Sequence, residues 1–399
     1  MRDISFAATV ALVVLHASVG VAADPGGEDD IGTRPAAPSP ELTIADEGEE
    51  DFEPDPPSGG LTIARDPPPD WAVMHAGFRP HLGTFGGIAT FALAHERTER
   101  FYGLFSLSLI RNDAGTHAGA LQIAIGRNLA DSFGGIAQIG LAENRARSFA
   151  GVGQYSIAYN RALDIVSVFQ IAAYNRASRS VGMLQLGAYN RVDSAFAGVV
   201  QLGGFNWARG DFSGLFQVGG FNGHGDLFEE DVHEGAPRFG GIAQIGAVNS
   251  SEAFRGVAQV GAANFSADFA GVMQIGGLAS GAGEFRGAAQ IGAVAVSEKS
   301  YGAQIGGGAV SLEEHEGVQL GAVTNYADRM TGMQVGAVNI AEEVTGVQIG
   351  LFNHATRLRG LQIGLVNHAN DGVLEWSTIM NMGFDETGTD DDDQYTASR

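Results

Sequence analysis

The sequence contains no cysteine, which excludes disulfides, thiolate metal sites and the lipid-bearing cysteine of a lipoprotein. It is also short of positive charge, with 23 Lys and Arg against 46 Asp and Glu, a formal charge of −23. A nucleic-acid partner calls for a basic face, so none is expected. Divalent cations and cationic partners stay compatible with such a charge. Proline is scarce where the chain is regular, because all 12 prolines but Pro237 lie before residue 81. No Ser, His and Asp set can be assembled from the pattern. Glycine pairs such as Gly203-Gly204 and Gly219-Gly220 lack the lysine and following helix of a phosphate loop. Neither an enzyme nor a bound cofactor is expected.

What the chain has is glycine, 59 in 399 residues, well above the usual share of about 7% and without a period of three. Before the glycine-rich part come two segments of other character. Arg2 followed by the apolar run Phe6 to Ala23, ending on Val21-Ala22-Ala23, reads as an export signal over residues 1–23. Retention as a membrane anchor is the alternative; the many alanines and the acidic stretch that follows favour cleavage. Residues 24–70 are rich in Pro, Gly, Asp and Glu, with Glu47-Gly48-Glu49-Glu50-Asp51 and Pro67-Pro68-Pro69. Such a segment buries too little apolar surface to offset its ordering entropy, so it reads as a disordered linker. Residues 385–399 read as an acidic disordered tail, in which Asp390 to Asp393 are expected to be solvated.

Between them, residues 71–384 carry an internal repeat. Its clearest copies are Gly346 to Asn353 (G-V-Q-I-G-L-F-N) and Gly360 to Asn367 (G-L-Q-I-G-L-V-N). Glutamine marks it at Gln138, Gln170, Gln185, Gln201, Gln217, Gln244, Gln259, Gln274, Gln290, Gln304, Gln319, Gln334, Gln348 and Gln362, mostly about 14 to 16 residues apart. Asparagine follows five residues later in most copies, at Asn175, Asn190, Asn206, Asn222, Asn249, Asn264, Asn339, Asn353 and Asn367. A weaker copy surrounds Tyr155. Phe254 to Asn264 alternates an apolar row with a mixed one, which is a strand pattern. Recurrent glycines would cost a helix about 1 kcal/mol each relative to alanine. The fold class is therefore all-β.

Two architectures compete. A parallel β-solenoid would stack the glutamines and asparagines into ladders. An antiparallel meander would make each copy one strand. An unbroken strand of this length spans roughly 36 Å, which four or five connecting residues cannot retrace. Parallel stacking would also set Arg145, Arg161, Arg176 and Arg191 in a row about 4.8 Å apart, and Glu252, Asp268, Glu284 and Glu298 in another. These two arguments favour the meander, closed as a β-barrel of about twenty strands. The glutamines and glycines would then face a water-filled lumen. Leu374 to Phe384 would be the closing strand, and outer-membrane lipid the surroundings. The expected role is a passive pore or surface component, with a solenoid adhesin or spacer as the alternative.

The units from Gly134 to Asn367 resemble those of bacterial surface-repeat proteins with tandem G-[VL]-Q-[IL]-[GA]-x-x-N motifs behind a signal peptide. The resemblance implies an exported protein of the cell envelope and implies no activity. Outside the pattern stands one insertion, Gly223 to Arg238, with His224, Asp226, Glu229, Glu230, Asp231 and His233. These side chains are the candidates for a divalent cation. Their spacing matches no metal motif, and a solvated acidic loop is the favoured reading. His354 and His368 read as polar turn residues.

Overall fold

The computed structural model of the chain describes residues 70–225 and 237–384. The export segment, the linker up to residue 69, the acidic tail, and Asp226, Glu229, Glu230, Asp231 and His233 lie outside the described residues. From Asp70–Gly77 through the long ladder Met273–Ala369, the pairings between successive strands are parallel. Among the described residues only Trp376–Gly383 pairs antiparallel, lying along Gly360 to His368 as a C-terminal cap. The chain is a parallel β-solenoid. The expected barrel is corrected, and the expected alternative is the architecture adopted.

The correction has a local cause. Between two neighbouring rungs the pairing runs Gln244↔Gln259 and Ile245↔Val260, then resumes at Val248↔Ala263 through Ser251↔Ser266, and again at Ala253↔Asp268 through Arg255↔Ala270. Each rung is thus three short straight runs separated by corners. What reads in sequence as one strand of eleven residues is bent two residues after the glutamine, at a position that is glycine in most rungs. No long return connection is needed.

The repeat motif is the corner device. Asn249 donates its Nδ2 hydrogens to the Val260 carbonyl at 2.8 Å and to Asn264 Oδ1 at 2.7 Å. One side chain therefore ties the corner of the next rung and continues a column along the axis. A Cβ at Gly261, in that corner, would stand 2.4 Å from the Gly246 carbonyl and 2.8 Å from Asn249 Nδ2. Glycine leaves the space that the asparagine amide fills.

Each of the three faces points one column inward. The first holds glutamine, the second asparagine with a small residue two positions on, the third phenylalanine. Sixteen glutamines, Gln122 through Gln362, are all buried. Every one after the first donates Nε2 to the Oε1 of its predecessor, as in Gln138→Gln122 at 2.9 Å and Gln362→Gln348 at 2.8 Å. The phenylalanine column runs Phe196, Phe212, Phe239, Phe254, Phe269 and Phe285 with centroids 4.9–5.1 Å apart. Such in-register stacking meets buried amide with amide and ring with ring, so most polar groups along the columns find their partner in the neighbouring rung. The interior is filled by these columns. The glutamines do not line a lumen, as the barrel reading had them.

Towards the C-terminus the rungs shorten, from 16 residues between Gln138 and Gln154 to 14 between Gln348 and Gln362. The corner before the glutamine tightens accordingly. At this position Val257 gives way to glycines in the left-handed half of backbone space, including Gly346 at φ 140°. A Cβ on Gly346 would lie 2.0 Å from the Gly332 carbonyl. Gly346→Ala is expected to lower stability by about 1–3 kcal/mol, read as a shift of the urea midpoint. The same substitution at exposed Gly277, where a Cβ would meet its nearest neighbour only at 4.0 Å, should move it by less than about 0.5 kcal/mol.

Candidate functional site

Among the described residues, no group of three or more His, Asp or Glu side chains is arranged to hold a metal ion. Of the loop candidates, His224 alone is described. It ends the strand Phe216–His224, buried, paired in register with Ala208 on one side and Ser251 on the other. Burial lowers its pKa to about 4. His354 and His368 are not in turns. They stack across adjacent rungs at 4.9 Å, and His368 packs against Trp376 of the cap.

The glutamine and asparagine marks are structural. Gln244, Gln259, Gln274, Gln348 and Gln362 form bonded stretches of one column. Asn249 and Asn264 form part of another, and Asn339, Asn353 and Asn367 a later part of it. Between them Ser280 stands in register with Asn264, and its hydroxyl donates to the Ile291 carbonyl at 2.7 Å, replacing the asparagine at that corner. Two members had escaped the motif. Gln122 and Gln154 belong fully to the glutamine column, although their rungs read Gln122-Ile123-Ala124 and Gln154-Tyr155-Ser156 in place of the usual Gln-Ile-Gly. At the N-terminal end Glu96 occupies the asparagine column. Its Oε1 accepts from Thr90 at 2.6 Å and Thr98 at 3.1 Å, and burial raises its pKa.

With the interior filled, only the exterior remains to recognise anything. Its faces differ sharply. On the glutamine face, six-residue windows centred on the buried column carry no charge in any rung, from Ile88–Leu93 through Ile242–Ala247 to Gly360–Leu365. Ile88, Leu104, Ile136, Met183, Ile242, Val257 and Val272 form one exposed aliphatic row along a corner. At about 4.8 Å per rung the charge-free face is roughly 80 Å long. Contiguous apolar surface of this extent marks an interaction site. Acidic residues gather at the opposite corner, where Asp268 stands beside Glu284 in register. Each has its own arginine, Arg255 with Asp268 and Arg286 with Glu284.

The asparagine face carries a third pattern. Flanking the buried asparagines, Tyr159, Tyr174, Tyr189, Phe205 and Phe221 stack with centroids 4.7–4.8 Å apart. On the other side of the same column lie Arg145, Arg161 and Arg176, paired rung to rung, and then Arg191. The signal was present in sequence as a repeated Tyr-Asn-Arg at 159–161, 174–176 and 189–191.

No protein-family model matches the chain, and neither curated proteins nor solved structures give a match. The class the fold defines is therefore an amide-laddered parallel β-solenoid with one charge-free face, one acidic corner and one tyrosine–arginine strip.

Proposed function

We propose that this chain is an exported, non-catalytic surface rod of the cell envelope, an adhesin or spacer that rests its charge-free face on outer-membrane lipid. The observation that carries the reading is the partition of the exterior: an aliphatic strip free of charge along the whole rod, with the acidic residues at the far corner. Lipid suits such a strip because it asks for apolar area without charge pairing. The tyrosine row beside it has the amphipathic character that settles at a membrane–water boundary. The expected export signal at residues 1–23 and the resemblance to envelope surface-repeat proteins support the same compartment. The pore is not retained, because its lumen would have to occupy the space held by the glutamine and asparagine columns.

Flotation with neutral phosphatidylcholine vesicles tests the lipid contact. The protein should float, and should still float in high salt, since screening does not weaken apolar burial. Ile245→Glu with Val260→Glu should abolish flotation while leaving the rod folded, because both side chains point outward. Failure of the native chain to float would remove the lipid contact. Protection from added protease on intact cells would remove the surface location as well.

A further inference from the structure

Stacking four arginines at rung spacing is a cost that the fold alone does not require. The corresponding positions of other rungs hold Leu129, Trp207, Ser250 and Phe265. Between residues 95 and 191 the chain carries ten arginines against six carboxylates, a local excess of positive charge in a strongly acidic protein. One carboxylate serves two arginines of the row. Asp193 receives both Arg176 Nε at 2.9 Å and Arg191 Nε at 2.6 Å. Glu143 lies 3.4 Å from Arg127 Nε, in the row alongside.

We infer that this strip, Tyr159, Tyr174 and Tyr189 beside Arg145, Arg161, Arg176 and Arg191, is a binding site for an anionic polysaccharide lying along the rod axis. Three features fit that ligand. The guanidiniums recur at a constant spacing, so a chain bearing repeated carboxylate or sulfate groups meets a donor at every rung. The tyrosine hydroxyls form a parallel row of neutral donors and acceptors for sugar hydroxyls. Burial pushes the Tyr159 and Tyr174 pKa values upward against the lowering effect of neighbouring arginines, so both keep their protons at neutral pH. The third feature separates glycan from nucleic acid. Single-stranded nucleic acid binds by laying bases on open aromatic faces. Here Tyr174 and Tyr189 are covered on both faces by neighbouring rings and Tyr159 on one, with interplanar angles of 3° to 8°, so the inner rings of the row offer no open face to a base.

The inference rests on the adhesin reading for its setting, but its assay does not. The full chain would be passed over immobilised dextran sulfate, polygalacturonate, neutral dextran and single-stranded DNA at physiological salt. Retention on the two anionic polysaccharides, weakening with added salt, is expected, with none on neutral dextran. Arg161→Gln, Arg176→Gln and Arg191→Gln together should weaken retention about tenfold or more, since each removes a charge-assisted hydrogen bond. The melting temperature should stay unchanged or rise, because like charges in register no longer repel. A control pair, Arg255→Gln with Arg286→Gln at the acidic corner, should leave retention intact.

Equal binding by the triple variant, equal binding to neutral dextran, stronger binding to DNA than to either polyanion, or no binding at all would overturn the assignment. A fall in melting temperature would mean the arginines serve the fold instead. The triple variant should float with neutral vesicles as the native chain does, so failure of the lipid contact and failure of the glycan site give different results.

Discussion

Gln201→Glu should destabilise the rod by about 3–5 kcal/mol at neutral pH, the range for an uncompensated buried charge. Gln201 is fully buried, donates Nε2 to Gln185 Oε1 at 2.7 Å, and accepts from Gln217 Nε2 at 2.8 Å. A carboxylate keeps the accepting role and loses the donating one. It would leave Gln185 Oε1 without its donor and set an anion against that oxygen. The column is directional, so the two neighbours are affected unequally: Gln217 keeps a partner and Gln185 does not. Protonation of the new side chain restores an O–H donor, so the variant's carboxyl pKa should lie above that of a free glutamate.

The sign follows from linkage. A carboxyl whose folded pKa is raised binds more protons folded than unfolded, so the stability deficit shrinks as pH falls through that pKa. Urea midpoints of native and variant protein should therefore converge between neutral pH and about pH 4–5. Equal midpoints at pH 7, or a deficit independent of pH, would show that the glutamine column is not a bonded ladder. Gln201→Leu sets the comparison. It breaks two bonds without burying a charge, and its deficit should be smaller and flat with pH.

Much of this column could be read from the residues alone. Strand character, the period, and the glutamine and asparagine marks all followed from alternation and spacing, as did the possibility of ladders. The direction of neighbouring strands did not. Period-two alternation reads the same on either side of a corner, so Phe254 to Asn264 looked like one strand although it turns at Gly256-Val257 and again at Gly261-Ala262. The arginine rows misled for a reason of magnitude. Two unit charges about 5 Å apart in water repel by less than about 1 kcal/mol. Each rung sets against that an amide bond in the glutamine column worth about 1 kcal/mol net, together with a buried phenylalanine in most rungs. The ladder wins, and the like charges are carried as a surface feature that recognition can use. The outward partition was less legible, since deciding which alternate residue faces out requires knowing where the corners fall.

The phenylalanine column holds the second large effect, because two of its positions are histidine. His117 lies between Phe101 and Phe133, stacked on them at 4.5 and 5.0 Å, with both ring nitrogens buried and unpartnered. His315 occupies the corresponding slot further along, and His224 is buried beside the asparagine column. Burial lowers all three pKa values to about 4, against about 6.5 in the unfolded chain. Between those values the unfolded state binds more protons. Stability from these groups is thus complete above about pH 6.5 and is lost as pH falls towards 4, by up to about 4 kcal/mol per pH unit at the steepest.

His117→Phe tests the account, because the slot already accepts phenylalanine one rung above and one rung below. It replaces an unsatisfied polar ring with a stacking one, and should raise stability by about 1–3 kcal/mol at pH 7. It should also remove one of the three protons from the acid limb. The gap between variant and native protein should therefore widen steadily from pH 6.5 to 4, where carboxylate titration affects both alike. A variant less stable at pH 7 would mean that the histidine ring has a polar partner after all. A gap that stays constant down to pH 4 would mean that His117 titrates in the folded rod as it does in the unfolded chain, and so is not sealed from water by its two neighbouring rings.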